Sequence, residues 1–228
     1  MRVMVKFSKE PSVRFVSHLD VLRGMQRAIR RAGLPVAYSD GFHPHLIMTF
    51  AMALPVGASS QGEYMEMELR DPLPMEDIRT RLDAAMGMGF RALDCGLIRA
   101  DAPSLMAAVC QSDWRIVVPG GDALDLANRT QALLAQHSVE VVRLSGKKAG
   151  KPAELRSGIL DLSAEPAPGG AQVRALLQAG STGNVSAALV ADALGLGQDG
   201  TRFRLHRVEL YTVVDGALAP LSALMARG

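Results

Sequence analysis

Aromatic residues are scarce in this chain, and most signatures that would reveal a function directly are missing. Only 4% of the 228 residues are Phe, Trp or Tyr, whereas 48% are hydrophobic. That hydrophobic content excludes wholesale disorder and predicts a core of Leu, Val, Ala and some of the 12 methionines. The formal net charge is only +2, so a surface that binds a polyanion has to be a local one.

Cysteines and long apolar runs are also lacking. Cys95 and Cys110 are the only cysteines, and they form neither a CxxC pair nor a metal-ligand spacing. Their apolar neighbours indicate reduced, buried thiols. The first ten residues, MRVMVKFSKE, lack the apolar stretch of a signal peptide, and no run approaches the roughly 18 apolar residues of a membrane helix. We expect a cytoplasmic protein with no membrane partner.

The first 99 residues predict the order strand, helix, strand, strand, helix, strand. Residues 2–7 and 63–69 alternate with the period of two that is typical of strands. Between them a helical pattern follows the N-cap candidate Ser17, turns Leu19 and later apolar residues inward, and ends at Gly33. This order is that of the split βαβ unit of ferredoxin-like folds.

The second half predicts a loose repetition of the same plan. The predicted strands are 113–120, 138–144, 157–166, 171–180 and 202–213, with a helical pattern at 122–136 and another capped by Asn184. We therefore predict an α+β protein of two tandem ferredoxin-like modules with antiparallel sheets, the arrangement of RAMP-type proteins. The predicted modules cover residues 1–99 and 110–228.

Two histidines flank a proline in the segment 39–50, SDGFHPHLIMTF. His43 precedes Pro44 and is biased towards an extended backbone, which would turn the imidazoles of His43 and His45 to the same side. Such a pair suits phosphate binding or acid–base chemistry, with His18 as a third candidate if the loop folds back. No further ligand stands at a recognised spacing, so we predict no metal. The alternative is a rigid surface loop whose imidazoles bond backbone groups.

Arginines form the strongest surface feature of the first predicted helix. They recur at spacings of three and four along one face, with only Asp20 among them. Guanidinium groups bind phosphate oxygens bidentately, so the pattern favours a polyanion, although a merely solvated face would also be charged. The four residues are Arg23, Arg27, Arg30 and Arg31, and Lys6, Lys9 and Arg14 lie just upstream.

A second basic cluster lies in the glycine-punctuated segment 145–156, SGKKAGKPAELR. It is typical of a hairpin tip that contacts a nucleic-acid backbone, although a soluble tip without a ligand can have the same composition. The Walker pattern GxxxxGK[ST] is absent. The basic residues of this cluster are Lys147, Lys148, Lys151 and Arg156.

The turn 180–184, GSTGN, is a weaker candidate for an anion site because it precedes a predicted helix capped by Asn184. No G-x-S-x-G elbow, HExxH motif or paired-carboxylate constellation occurs. The sequence therefore assigns no catalytic residue beyond the weak candidates His18, His43 and His45, and it predicts no cofactor.

The segment FVSHLDVLRGMQRAIRRAGLPVAYSDGFHPH resembles the N-terminal part of the DUF2344 family of radical SAM-linked proteins. LRSGILDL and GSTGNVSAALVADALGL are similar to the C-terminal pattern of that family. The resemblance implies a radical SAM protein as partner and a context of RNA metabolism and ribosomes. This chain lacks the CxxxCxxC motif that binds the cluster, so it resembles the stand-alone accessory form.

Three functions follow as hypotheses. The first is a non-catalytic accessory protein that binds RNA or a ribosome-related substrate for a radical SAM partner. The second is a metal-independent endoribonuclease, by analogy of fold with RAMP-type CRISPR endoribonucleases, with histidines as acid and base. The third is a protein–protein scaffold. Salt-dependent polyanion binding separates the first two from the third, and RNA cleavage that depends on His43 or His45 separates the second from the first.

Overall fold

The computed structural model describes residues 1–142, 150–198 and 200–226, which form two compact units. The first unit contains Met1–Val109 together with Glu209–Gly228, and the second contains Cys110–Val208. The sequence predicted a single second module from 110 to the C-terminus. The structure instead assigns the last twenty residues to the first unit.

The first unit has the strand order of a ferredoxin-like fold. Strands β1 and β3 are antiparallel, as are β1 and β4, and β2 is antiparallel to β3. The resulting order is fourth, first, third, second, which confirms the predicted fold class. The elements are β1 (Arg2–Lys9), α1 (His18–Arg31), β2 (Met48–Phe50), β3 (Ala58–Glu68), α2 (Met75–Ala85), β4 (Phe90–Leu97) and the short α3 (Leu105–Ala108).

The second unit repeats this order with the strands β10, β5, β9 and β8. Strand β9 is antiparallel to both of its neighbours, and β6 and β7 form a separate two-stranded ladder. The elements that follow α3 are β5 (Gln111–Pro119), α4 (Ala123–Leu134), β6 (Glu140–Val142), β7 (Pro152–Glu154), β8 (Ile159–Ala167), β9 (Gly170–Gln178), α5 (Ala187–Ala193), β10 (Arg204–Val214) and β11 (Ala217–Pro220). From Glu209 onwards, β10 belongs to the first unit.

Helix α1 begins and ends as its local chemistry predicts. The hydroxyl of Ser17 accepts a hydrogen bond from the backbone N–H of Asp20, and Gly33 adopts the left-handed conformation (φ 62°) that ends many helices. The buried face carries Met25, Ala28 and Ile29. The inward prediction for Leu19 was wrong: this side chain is 61% exposed, because it lies about a third of a turn away from that face.

The C-terminal segment joins the first unit through the end of β4. The backbone N–H of Ala226 donates to the carbonyl of Leu97 (2.7 Å), and that of Arg99 donates to Leu224 (3.0 Å). Gly96 lies so close to Met225 that a Cβ there would be 2.8 Å from the sulfur. These contacts explain why the last twenty residues do not stay with the second unit.

The turn 180–184 packs onto β9 and does not cap a helix. Helix α5 begins at Ala187 with Ser186 as N-cap, so the prediction that Asn184 is the cap was wrong. The backbone N–H of Val185 donates to the carbonyl of Gln178 (3.0 Å). A Cβ on Gly183 would lie 2.6 Å from the Gln178 side chain, so a larger residue there would displace the Gln178 amide.

Candidate functional site

Helix α1 presents the four predicted arginines to solvent, and we call this set the arginine face: Arg23, Arg27, Arg30 and Arg31. Arg27 and Arg30 make no hydrogen bond or ion pair with any residue that the structure describes. Arg23 lies 3.7 Å from the carboxylate of Asp20, an exposed pair that is weak in water. Arg31 donates to the backbone carbonyl of Ala85 at the end of α2. The arginine face therefore combines two unpaired guanidinium groups, one weakly paired group and one that is held in place.

The basic residues upstream of α1 are engaged elsewhere. Lys6 forms an ion pair with Glu209, with 2.6 Å between Nζ and Oε2. Lys9 is only 2% exposed, and its ammonium group donates to the carbonyls of Arg14 (2.9 Å) and Val16 (2.8 Å). Burial lowers the pKa of Lys9. Lys9 thus holds the segment before the helix, Lys6 is bound to β10, and neither lysine extends the arginine face.

Two exposed apolar side chains, Phe15 and Leu19, lie just before α1 and in its first turn, which the sequence did not predict. Phe15 is 66% exposed and lies 4.4 Å from the guanidinium of Arg14 in a cation–π contact. Leu19 is exposed one turn before Arg23 on the same helix. An aromatic ring beside cations is the combination with which proteins bind unpaired bases.

The loop 39–45 is closed by hydrogen bonds between its two ends. The backbone N–H of Ser39 donates to the carbonyl of His45 (2.9 Å), and the Ser39 hydroxyl lies 2.8 Å from Nδ1 of His45. Phe42 is fully exposed at the tip, and His43 is exposed beside it. His45 thus helps to shape the loop, whereas Phe42 and His43 are the side chains that the loop presents.

His18 has a packing role that the sequence left open. Its ring lies edge-on to Phe50, with 5.3 Å between the ring centroids.

No group of three His, Cys, Asp or Glu side chains that could hold a metal occurs in the part of the chain that the structure describes. Across the same ranges, no helix combines the length and apolar character required to cross a bilayer.

A cleft of about 270 Å³ opens between α1 and the connection from α2 to β4. Gly24 lies on its helical side, and a Cβ built there would have no neighbouring atom within 4 Å. We call this space the Gly24 cleft. A glycine within a helical pattern was the sequence signal that could have found it. The lining residues are Val16, Asp20, Val21, Gly24, Met25, Arg27, Ala28, Arg31, Met86, Gly87 and Phe90.

The titratable groups with large pKa shifts are poor acid–base candidates. Tyr64 is buried and donates to Oε1 of Glu209 (2.7 Å). Burial raises the pKa of Tyr64, and the negative charge of Glu209 adds to this effect. Burial also raises the pKa of Cys95 to about 12. Both groups keep their protons at neutral pH. Cys95 and Cys110 form no disulfide bond.

The second basic cluster falls partly outside the described residues. Lys147 and Lys148 lie outside the described residues, and Lys151 is exposed. Arg156 donates from Nε to the carbonyl of Leu134 (3.1 Å) and from a terminal nitrogen to that of Ile159 (3.3 Å). Its guanidinium therefore caps the end of α4.

Comparisons with known proteins identify the family. The family model described as "Uncharacterized protein conserved in bacteria (DUF2344)" matches residues 2–187. A comparison with the curated proteins finds no match to the chain.

Two solved structures show a remote likeness. The crystal structure of a Cbf5-Nop10-Gar1 complex is 10% identical with a TM-score of 0.48, over 91% of this chain and 48% of that chain. The crystal structure of an unknown protein from Galdieria sulphuraria is 14% identical with a TM-score of 0.24, over 91% and 98% of the two chains. The chain thus spans about half the length of the first of these. Neither likeness carries an argument about function.

Proposed function

The chain belongs to the DUF2344 family, and we propose that it is a non-catalytic accessory protein that binds RNA through the arginine face. The observation that carries this proposal is the state of Arg27 and Arg30, which are exposed on a 14-residue helix without a partner among the described residues. A ligand rich in phosphate supplies the missing negative charge. Because the helix is capped and packed, it holds the backbone positions of these arginines at fixed spacings, from which their guanidinium groups can bind phosphates.

The local sequence of α1 supports an anionic ligand. Arg27 follows Arg23 by four residues and precedes Arg31 by four. Like charges at this spacing destabilise a helix by about 0.2–0.5 kcal/mol per pair. A bound polyanion would offset this repulsion, because each arginine would be attracted to a phosphate. The exposed ring of Phe15 gives a surface on which an unpaired base can stack, and this favours RNA over a purely protein partner.

A radical SAM protein as partner is the second part of the proposal. It is supported by the resemblance of residues 15–45 to radical SAM-linked members of the family. The accessory protein would bind the RNA or a ribosome-related substrate, and the partner would supply the chemistry. Co-purification of tagged protein with a radical SAM protein encoded nearby is the measurement. Purification without any such protein under reducing, anaerobic conditions would count against this part alone.

Charge reversal on the arginine face tests RNA binding. We expect Arg27→Glu to weaken binding of a single-stranded RNA at least about tenfold and to lower the salt slope by about 1, because one phosphate contact is lost. Fluorescence anisotropy at about 50 and 200 mM salt gives both quantities. Arg81→Glu is the matched control, because Arg81 is exposed on α2, outside the arginine face, and has no partner among the described residues.

Equal losses in Arg27→Glu and Arg81→Glu would contradict the placement, since they would show an effect of net charge alone. No binding by the wild type at low salt would favour the scaffold hypothesis. The same incubations test the endoribonuclease hypothesis: RNA cleavage by the wild type that is lost in His43→Ala or His45→Ala would replace an accessory role with a catalytic one.

A further inference from the structure

The Gly24 cleft has the features of a site for a single nucleotide. Its volume of about 270 Å³ lies just below the range of about 300–1,000 Å³ found for small-molecule sites. Arg27 and Arg31 line one part of it, and Met86 and Phe90 give it an apolar wall. Cations beside an apolar wall suit a ligand with a charged phosphate and a flat, hydrophobic base.

Both arginines of the cleft can reach a phosphate without loss of existing contacts. Arg27 has no partner among the described residues. Arg31 donates one N–H to the carbonyl of Ala85, and a guanidinium has five N–H donors, so this bond orients the group and leaves donors for a ligand. The carboxylate of Asp20 also lines the cleft. It accepts a hydrogen bond from the Ser17 hydroxyl (2.7 Å) and has further acceptor positions for the N–H groups of a base.

Gly24 supplies the second line of evidence. A glycine inside a helix is less favourable than an alanine, and nothing in the structure requires it, because a Cβ would meet no atom within 4 Å. Its φ is not in the left-handed region. A glycine at a position where an alanine would fit lets another molecule approach the helix backbone closely. Arg27 and Arg31, four residues apart, are a second unfavourable choice on the same side of the helix.

We propose that the Gly24 cleft binds one unpaired nucleotide of the RNA, with its phosphate on Arg27 and Arg31 and its base against Met86 and Phe90. This inference rests on the proposed function and makes it more specific. Bases in a duplex are stacked and paired, and a base in a cleft has to be unpaired. Single-stranded RNA should therefore bind more tightly than a duplex of the same sequence.

Filling the cleft without changing charge is the test. Gly24→Leu places an apolar side chain in the open space and leaves every arginine in place. The probes are a fluorescent 12-nucleotide RNA and the same strand annealed to its complement. We expect Gly24→Leu to weaken binding of the single strand about tenfold and to leave the duplex affinity unchanged. Ala132→Leu is the matched control, since it adds the same side chain at an exposed position of α4.

A second, smaller substitution keeps the test valid if Gly24→Leu does not fold. Gly24→Ala fits the open space, and we expect it to weaken binding of the single strand in the same direction by a smaller factor. An unchanged single-strand affinity in both Gly24 variants would overturn the proposal. Equal weakening of single strand and duplex would overturn it too, because it would show only obstruction of a phosphate path along α1.

Titration with AMP separates this inference from the proposed function. Saturable AMP binding that is lost in Gly24→Leu, and kept in Ala132→Leu, supports a nucleotide site even if the wild type binds no RNA. RNA binding that depends on Arg30 but resists both Gly24 variants retains the proposed function and removes the cleft from it. No saturable binding of AMP and no preference for the single strand would sink the inference.

Discussion

At the scale of single residues, two glycines of the first unit lie in equally open space but differ in backbone conformation. Neither Gly24 nor Gly33 would bring a Cβ within 4 Å of another atom, but Gly33 has a φ of 62° and Gly24 has an ordinary helical backbone. Space therefore does not distinguish them. The conformation does, because a side chain in the left-handed region is strained.

Alanine substitutions should therefore act in opposite directions. We expect Gly24→Ala to raise the free energy of unfolding by about 0.5–1 kcal/mol through better helix propensity. Gly33→Ala should lower it by about 1–2 kcal/mol because alanine has to adopt a positive φ. Urea denaturation measures both. A stabilised Gly24→Ala variant that binds RNA less well would show that the glycine serves the ligand and not the fold.

Tyr64 predicts a pH dependence of stability. Its folded-state pKa is raised by burial and by Glu209, so its contribution is complete below the usual tyrosine pKa of about 10 and is lost as the pH rises above that value. There the unfolded chain releases the proton that the folded chain keeps. Tyr64→Phe should therefore remove a slope of up to about 1.4 kcal/mol per pH unit above pH 10.

Urea denaturation between about pH 9 and 11 measures this difference. Tyr38→Phe is the control, because the side chain of Tyr38 is exposed and its phenol bonds no carboxylate among the described residues. Parallel pH profiles for the wild type and Tyr64→Phe would contradict the linkage.

At the scale of elements, the stability of α1 determines the spacing of the arginine face. Ser17 satisfies one backbone N–H of the first turn by accepting a hydrogen bond from Asp20 (3.2 Å). We expect Ser17→Ala to lower the free energy of unfolding by about 0.5–2 kcal/mol. Ser17→Thr keeps a hydroxyl acceptor and should cost much less. Thermal denaturation compares the two, and equal destabilisation would show that the cap is not the cause.

Helix α1 also shows the limit of periodicity as a predictor. Its start at Ser17, its end before Gly33 and its arginine spacing were all predicted. The sequence pattern wrongly placed Leu19 on the buried face, although its side chain is exposed. Leu19 and Met25 are both apolar but lie on different sides of the helix, so the sequence alone allowed two rotations. The sheet selects the rotation: Met25, Ala28 and Ile29 lie in the core of the unit, and Val21 and Leu22 pack against it.

At the scale of the whole molecule, the first unit is assembled from two distant parts of the chain. The carboxylate of Glu209 accepts hydrogen bonds from both Lys6 and Tyr64. The segment around Leu224 forms backbone hydrogen bonds with the residues at the end of β4. We expect a chain of residues 1–109 alone to be strongly destabilised, because the buried Tyr64 loses the acceptor of its hydroxyl. A hydrogen bond to a charged group contributes about 1.5–3 kcal/mol, and Lys6 loses its ion-pair partner Glu209 as well.

Circular dichroism and urea denaturation of residues 1–109 test this expectation. The matched control joins 209–228 to the same fragment through a long Gly-Ser linker, and it should restore a cooperative transition. An equally stable fragment without the added segment would show that the first unit is complete at Val109.

The sequence by itself determined the local elements and their order. Alternation in 63–69, the cap at Ser17 and the stop at Gly33 are interactions among near neighbours, so they leave a readable pattern. The order of strands and helices then limited the topology, because right-handed crossovers leave few alternatives. The tandem ferredoxin-like fold followed from these patterns.

Only the tertiary structure decided which charges are available to a ligand. In the sequence, three other basic residues cannot be distinguished from the arginines of α1: Lys6, Lys9 and Arg156. In the structure, the charged group of each donates hydrogen bonds to another residue of the chain. Lys6 and Glu209 are 203 residues apart, and the Gly24 cleft needs Met86 and Phe90 from beyond α2. Contacts at such separations leave no periodic signal in a single sequence, because they depend on how the folded elements pack and not on neighbouring residues.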